Sequence, residues 1–346
     1  MTDDVICVGF VGAGANTRLH HLPGFKAIEG VDLVSVCNLS RESGQRVAGE
    51  FQIPKVYDSW IDLIEAPNTN AICVGTWPYM HCTLVLEALK NDKHVLTEAR
   101  MASSAEEAHL MLQASRMKPG LVTQIVPNPL TLKVDNTITE LVANGYLGDV
   151  LSVDMILCQG NFIDYESSFH WRHDRDLSGY NIMHVGIWYE ALMRWIGPAA
   201  SVTSLTTVNV KARKDPSGHR RVITIPDHVE ILCEMASGPI AHMRFSTVTG
   251  LAPPDQVWIF GTQGTLRLDA STVRLFGGRR GDDQLSEIEI PSEKQGRWRV
   301  EEEFCNAIRH VEPVTHTSFE VGVQYMEFTE AVTLSAQSSK KIYLPL

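Results

Sequence analysis

Apolar and polar positions alternate in blocks along the first third of the chain. Residues 5–11 form an unbroken apolar run that stops at Gly12. Further short apolar runs at 31–37, 71–74, 94–97 and 122–126 are separated by stretches of helical spacing at 16–28, 41–51, 80–90 and 103–117. Short buried strands alternating with helices predict a parallel sheet covered on both faces. After Pro127 and Pro129 the pattern changes. A helical stretch at 131–144 leads through Gly145 and Gly148 into longer runs at 150–156, 199–208, 227–235, 240–247, 257–260 and 265–268. These are rich in Val, Ile and Thr and are joined by Gly and Asp turns, which predicts a mostly antiparallel sheet. Further helices are expected at 180–196, 298–310 and 319–335, and exposed loops at 211–221 and 277–284.

Length and composition narrow the picture. A chain of 346 residues has room for two cores, and 44% hydrophobic with 21% charged residues is ordinary for a soluble protein. The formal charge of -11 argues against nucleic acid or an anionic membrane as partner, since both call for basic patches. No apolar run spans a bilayer, and the N-terminus has no basic segment before an apolar one, so a cytoplasmic protein is expected. Seven scattered cysteines without a C-x-x-C pair fit reduced, buried thiols better than a zinc site, and no metal is expected.

The first chemistry-bearing segment is Gly12-Ala13-Gly14-Ala15-Asn16-Thr17. It follows a buried strand and opens a helix. Gly12 permits the tight turn, Gly14 lets backbone approach a pyrophosphate, and the helix N-terminus offers N–H groups and a positive dipole end. This is the pattern of a Rossmann-type dinucleotide site, with Thr17 where Gly or Ala is usual. The fold class is therefore α/β. A doubly wound parallel Rossmann domain is expected over residues 1–125, followed by an α+β substrate domain with a large, mostly antiparallel open sheet over 126–346. The end of the second strand carries Asn38, Ser40 and Arg41 rather than an acidic residue. An amide, a hydroxyl and a guanidinium would accept a 2′-phosphate, so NADP is expected over NAD.

Several segments in chain order resemble the Gfo/Idh/MocA oxidoreductases, the glucose–fructose oxidoreductase and inositol dehydrogenase superfamily. They are the glycine loop with Leu19-His20-His21-Leu22-Pro23, then Thr76-Trp77-Pro78-Tyr79-Met80-His81, and Lys93-His94-Val95-Leu96-Thr97-Glu98. Gly145-Tyr146-Leu147-Gly148-Asp149-Val150 and Gly261-Thr262-Gln263-Gly264-Thr265-Leu266 follow, and the closing helices fit as well. The resemblance implies NAD(P)-dependent chemistry on sugars or polyols. It implies that Thr76, Trp77, Pro78, His81, Glu98 and Ala99 lie along the cofactor. It also implies a homodimer or homotetramer assembled through the open sheet.

The chain departs from that family at its catalytic positions. The Glu-Lys-Pro motif reads Glu98-Ala99-Arg100, which removes the lysine. Arg100 suits orientation of a substrate oxygen, since a guanidinium does not act as a base. The D-x-G-x-H helix motif reads His184-Val185-Gly186-Ile187-Trp188, so His184 replaces the aspartate and Trp188 the histidine. His184 is the first candidate for proton transfer, with Tyr180 and Tyr189 as further catalytic candidates. Trp171, Arg172, His173, Asn181 and Trp188 are the candidates for substrate binding, Trp171 by stacking on a ring and Arg172 by holding a hydroxyl or carboxylate. His20 and His109 read as structural or solvated. Three functions remain open at this point. One is an oxidoreductase acting on a carbinol carbon with non-standard catalytic residues. A second is a non-catalytic NADP-binding sensor or regulator. A third is a redox-assisted glycoside-cleaving enzyme.

Overall fold

The computed structural model describes residues 5–346, and the chain divides into two units. The first contains residues up to Pro127 together with Arg299–Val323, and the second contains Asn128–Trp298 and Gln324–Leu346. The chain passes from the first unit to the second after Pro127, and because Arg299–Val323 belongs to the first, the second unit does not run to the C-terminus without interruption.

In the first unit the apolar runs become β1 (Ile6–Val11), β2 (Val31–Cys37), β3 (Lys55–Val56), β4 (Ala71–Val74), β5 (His94–Thr97) and β6 (Thr123–Ile125). They pair in the order β3-β2-β1-β4-β5-β6, all parallel. This is the doubly wound order, with its switch point between β1 and β4. The crossovers carry α1 (Leu22–Lys26), preceded by a π-helical turn at Thr17–His21, then α2 (Arg41–Phe51), α3 (Trp60–Glu65), α4 (Pro78–Lys90) and α5 (Ala105–Arg116). Ser40, Ser59 and Ser104 cap α2, α3 and α5 by accepting backbone N–H groups, the usual remedy for orphan donors at a helix start. β3 and α3 fall in a stretch for which the sequence pattern predicts no element.

The second unit opens with α6 (Leu132–Ala143) and β7 (Val150–Cys158) and continues through α7 (Arg175–Ser178) and α8 (Val185–Ile196). The strands that follow are β8 (Ala199–Thr207), β9 (Ala212–Lys214), β10 (Arg220–Val222), β11 (His228–Met235), β12 (Ile240–Ser246), β13 (Gln256–Gly261), β14 (Gly264–Asp269), β15 (Arg274–Arg279) and β16 (Ser286–Glu287). After α9 (Val300–Ile308) and α10 (Phe319–Ser338), β17 (Ile342–Tyr343) closes a nine-stranded sheet ordered β16-β15-β14-β13-β7-β12-β11-β8-β17. Only β7 and β12 pair in parallel within it. Alternation sorts its faces. Val153, Met155 and Leu157 of β7 are buried, while Asp154 and Ile156 between them face the more open side.

Three expectations change. The helix expected from 180 begins at Val185, because Met183 has φ of +43° and a left-handed residue interrupts a right-handed helix. Residues 211–221 are not a plain loop, since β9 and β10 pair as an antiparallel hairpin. Residues 277–279 of the other expected loop belong to β15. The return of α9 to the first unit is a packing matter. Phe304 on α9 meets Phe25 at a ring separation of 6.1 Å, and Phe25 meets Phe10 of β1 at 5.9 Å, all three fully buried.

Candidate active site

The glycine loop is built by hydrogen bonds from the two strands beside it. Gly12 N–H donates to the Cys37 carbonyl at 2.8 Å and Ala13 N–H to Asn38 Oδ1 at 2.7 Å. Asn38 Nδ2 donates to Ser43 Oγ, so this amide holds the loop against the start of α2. Gly12 has φ of +84°, and a Cβ there would lie 2.6 Å from Thr76 Cγ2. Thr17 is fully enclosed and donates to the Gly12 carbonyl. Its bulk is tolerated because Gly75 lies opposite, where a Cβ would come within 2.1 Å of Thr17 Oγ1. The small residue usual at position 17 has thus moved across to the end of β4.

Gly14 is the reverse case. A Cβ there would meet only the Gly75 carbonyl, at 3.9 Å, which leaves open space beside the loop. A cavity of about 450 Å³ lies there, lined by Ala13, Gly14, Ala15, Ser43 and Arg46 among others. These residues fit a dinucleotide: backbone bare of side chains, and a cation at the β2 side. Ser40 is occupied as the helix cap, and Arg41 is ion-paired with Asp58 at the surface. Arg46 and Arg18, which the sequence reading passes over, are the arginines that line the cavity, and Arg18 is ion-paired there with Glu50 at 2.6 Å.

Glu98, at the end of β5, belongs to a buried charge cluster. Its Oε1 receives His21 Nε2 at 3.0 Å and is also hydrogen-bonded by Asn16 of the glycine loop. His21 Nδ1 meets Glu301 of α9 at 2.5 Å. Burial alone would push the imidazole down, but the bonds and charges of Glu301 and Glu98 outweigh it and raise His21 to about 9. Burial likewise pushes Glu98 up, and His21 more than reverses this, so the carboxyl lies below its ordinary value. The cluster is a histidinium between two carboxylates that fixes Asn16 from behind. His81 does a similar job nearby. It is fully buried, with its ring nitrogens against the carbonyls of Thr76 and Arg100 at 3.0 and 2.9 Å, which ties the turns after β4 and β5 together. Trp77 precedes Pro78, which opens α4, and Arg100 is buried behind the Ala99 turn.

In the second unit, β7 and β12 end at a cavity of about 590 Å³. Gln159 and Thr247 follow those strands and line it with Arg172, His173, His184 and Arg213, while Phe162, Ile223 and Ile225 add apolar wall. His184 is exposed at the N-cap of α8 and also lines a smaller cavity of about 200 Å³, together with Trp188, Gln159 and Asp255. His173 Nδ1 accepts the His170 N–H at 3.0 Å, which leaves the ring proton on Nε2. Burial, and then the nearby Arg213, push this imidazole below its ordinary value. Arg172 stacks on Trp171, with the guanidinium 4.3 Å from the ring centroid.

The sequence candidates therefore separate. His173, His184, Arg172 and Trp188 come together around these two cavities. Asn181 is buried and donates to the Ser178 carbonyl at 2.7 Å, as a brace for the turn before His184. Tyr189 is a correction. It is buried, stacks on Phe328 at 3.6 Å, and its hydroxyl accepts the Ala199 N–H at 2.8 Å, so it serves the core. Tyr180 has the Arg175 guanidinium over its ring and lines neither cavity. Arg213 and Asp255 are among the residues of this site that lie outside the sequence reading. Arg213 sits in the stretch expected to be a loop, where the density of basic residues was the available signal. Asp255 follows two prolines, and its carboxyl oxygen Oδ1 is buried without a hydrogen-bond partner, with its pKa raised by burial. Nothing in the sequence marks it.

Comparison with known proteins agrees with this geometry. Residues 6–124 match the oxidoreductase family with an NAD-binding Rossmann fold, and residues 136–267 match the GFO/IDH/MocA C-terminal domain. The chain belongs to the Gfo/Idh/MocA oxidoreductase family. Among its relatives, glucose-6-phosphate 3-dehydrogenase of Bacillus subtilis is 26% identical over 65% of this chain and 63% of that protein. A dTDP-3,4-didehydro-2,6-dideoxy-alpha-D-glucose 3-reductase of Saccharopolyspora spinosa is 21% identical over 85% of each. Levoglucosan dehydrogenase, solved with NADH and L-sorbose, superposes with a TM-score of 0.85 at 17% identity, over 98% of this chain and 99% of that one. An NAD binding oxidoreductase from Klebsiella pneumoniae gives 0.83 at 19% identity, over 99% and 100%. At these identities the likeness to the solved structures is one of fold.

Proposed function

We propose that this protein is an NADP-preferring oxidoreductase that moves hydride to or from a carbinol carbon of a sugar, polyol or related carbohydrate derivative. The observation that carries the reading is His184. It is an exposed imidazole that lines two adjoining cavities at the carboxyl ends of a parallel strand pair, in a chain whose other unit is a NAD-binding Rossmann domain. The named activities of the relatives support the carbohydrate class.

A bound nicotinamide dinucleotide supplies the hydride acceptor or donor. The chain supplies the rest. Gly12 and Gly14 would let the loop come close to the pyrophosphate, Ala15, Asn16 and Thr17 at the helix start would hold it by backbone, and the His21–Glu98 pair fixes Asn16 in place. His184 removes the hydroxyl proton as the carbinol carbon becomes a carbonyl, and returns it in the reverse direction. His173, proton on Nε2, and Arg172 orient substrate oxygens. Asn38 and Arg46 support NADP over NAD, because neither repels a 2′-phosphate and Arg46 attracts it.

A panel of sugars and polyols with NADP and NAD, followed by reduced-nicotinamide absorbance, tests the activity. Turnover on one class with NADP ahead of NAD is expected. No turnover across the panel with dinucleotide binding intact would instead support the sensor reading. On the substrate so found, His184→Ala should lower kcat by about 10²- to 10⁴-fold. Unchanged kcat rejects the role of His184. Arg46→Ala should weaken NADP(H) binding by about tenfold or more, the worth of a charge-assisted hydrogen bond, and leave NAD(H) nearly unchanged. Equal losses for the two cofactors would remove the case for NADP.

A further inference from the structure

The hairpin of β9 and β10 is basic in an otherwise acidic chain. Lys211, Arg213, Lys214, Arg220 and Arg221 stand in it against one carboxylate, Asp215, whereas the whole chain has a formal charge of -11. Arg213 of this hairpin lines the 590 Å³ cavity beside Arg172, His173 and His184. Its Nη1 donates to the Ser167 carbonyl at 3.0 Å, and its Nε is buried without a protein partner.

The carboxylates of the same cavity are already engaged. Asp227 Oδ2 accepts the Asn209 and Val210 N–H groups at 3.0 and 2.8 Å, and its Oδ1 accepts the Asn209 side-chain amide at 2.8 Å. Asp164 Oδ1 accepts the Glu166 and Ser167 N–H groups at 2.8 and 3.2 Å. Those bonds, the Glu166 N–H first, with Arg213 close by, hold the Asp164 carboxyl below its ordinary value. Two guanidiniums and two imidazoles thus share a pocket whose negative groups are bonded to backbone. The exposed cations of the hairpin add a positive field at this part of the surface, which concentrates anions and speeds their arrival.

We propose that this cavity takes a carbohydrate bearing an anionic group, a carboxylate or a phosphate, and that Arg213 with Arg172 recognises that group. The inference rests on the carbohydrate reading above and narrows it from neutral polyols to acidic sugars. Guanidiniums discriminate in this way because a carboxylate or phosphate takes charge-assisted, bidentate hydrogen bonds from them, roughly twice as strong as those a neutral hydroxyl accepts.

The test uses the full chain loaded with NADPH and titrates D-glucose, D-glucuronate, D-gluconate and D-glucose 6-phosphate by calorimetry. At least one acidic sugar should bind about tenfold or more tightly than glucose, and which one separates a carboxylate site from a phosphate site. The acidic sugar's affinity should fall with added salt. Arg213→Gln should raise its Kd by about 10- to 100-fold while NADPH binding and the unfolding midpoint stay near those of the parent. Lys211→Ser with Arg220→Ser, both exposed, should slow association more than it speeds dissociation. Equal affinity for glucose and all three acidic sugars overturns the inference and leaves the carbohydrate reading standing. An acid preference that survives Arg213→Gln also overturns it. Absence of binding by every sugar, with NADPH still bound, overturns both readings.

Discussion

Replacing His21 by leucine should destabilise the protein by about 3–5 kcal/mol, because it leaves Glu98 and Glu301 buried without their shared counter-charge. For a domain of this size that is a fall on the order of 10 °C in the unfolding midpoint. The pH dependence gives the sharper check. His21 is raised to about 9 in the folded protein from an ordinary value of 6.5. Its stabilisation is therefore complete below pH 6.5 and is lost as the pH rises through about 9, an alkaline limb worth about 3 kcal/mol. Glu98 has the opposite sign. Its folded value lies below 4.5, so its contribution is present above that pH and is lost on acidification. Thermal unfolding from pH 5 to 10 should show the alkaline limb in the parent and a flatter profile in His21→Leu. The same slope in both proteins would mean that His21 is not the histidinium of this cluster. Dinucleotide affinity should fall as well, since Glu98 no longer holds Asn16 in a fixed geometry.

That cluster also marks where the sequence stops being legible. The apolar runs of β1, β4 and β5 are buried almost throughout, so continuous hydrophobicity announces them, and Gly12 at the end of the first makes the cofactor loop readable. β3 is two residues long and carries no such signal. The hairpin of β9 and β10 hides behind Pro216, Gly218 and a run of charges, which is the composition of a loop. Met183 stops the helix before His184 because of its positive φ, and methionine has no turn preference to announce it. His21 and Glu301 are 280 positions apart, and α9 returns to the first unit to make that contact. Single-sequence reasoning sees both residues as polar and neither as partners. Tyr189 illustrates the opposite error. Its place next to Trp188 on the motif helix reads as functional, but helical geometry turns adjacent side chains about 100° apart, and Tyr189 faces Phe328 and the core.

Alanine at Gly75 should disable the cofactor site although Gly75 has no side chain to offer a ligand. A Cβ there would lie 2.1 Å from Thr17 Oγ1 and 2.3 Å from the Gly12 carbonyl. One of these is a side chain that can rotate, but the other is backbone of the glycine loop. The loop must therefore shift by about 1 Å, a displacement that costs on the order of 100-fold where a ligand is held by geometry. Overpacking of this kind also costs about 1–3 kcal/mol of stability. Gly14→Ala separates the two effects. Its Cβ would meet only the Gly75 carbonyl at 3.9 Å, so the protein should fold with an unchanged midpoint. The methyl group nonetheless projects into the space a pyrophosphate would occupy, and dinucleotide affinity should fall steeply. Fluorescence titration with NADPH and thermal unfolding on both variants give the comparison. Parental affinity in Gly14→Ala would show that the dinucleotide does not approach the loop backbone. Parental affinity in Gly75→Ala would show that Thr17 and Gly75 do not share the space usually left by a small residue at position 17. Thr17→Gly combined with Gly75→Ala should recover only part of the loss, because the Gly12 carbonyl still stands in the way.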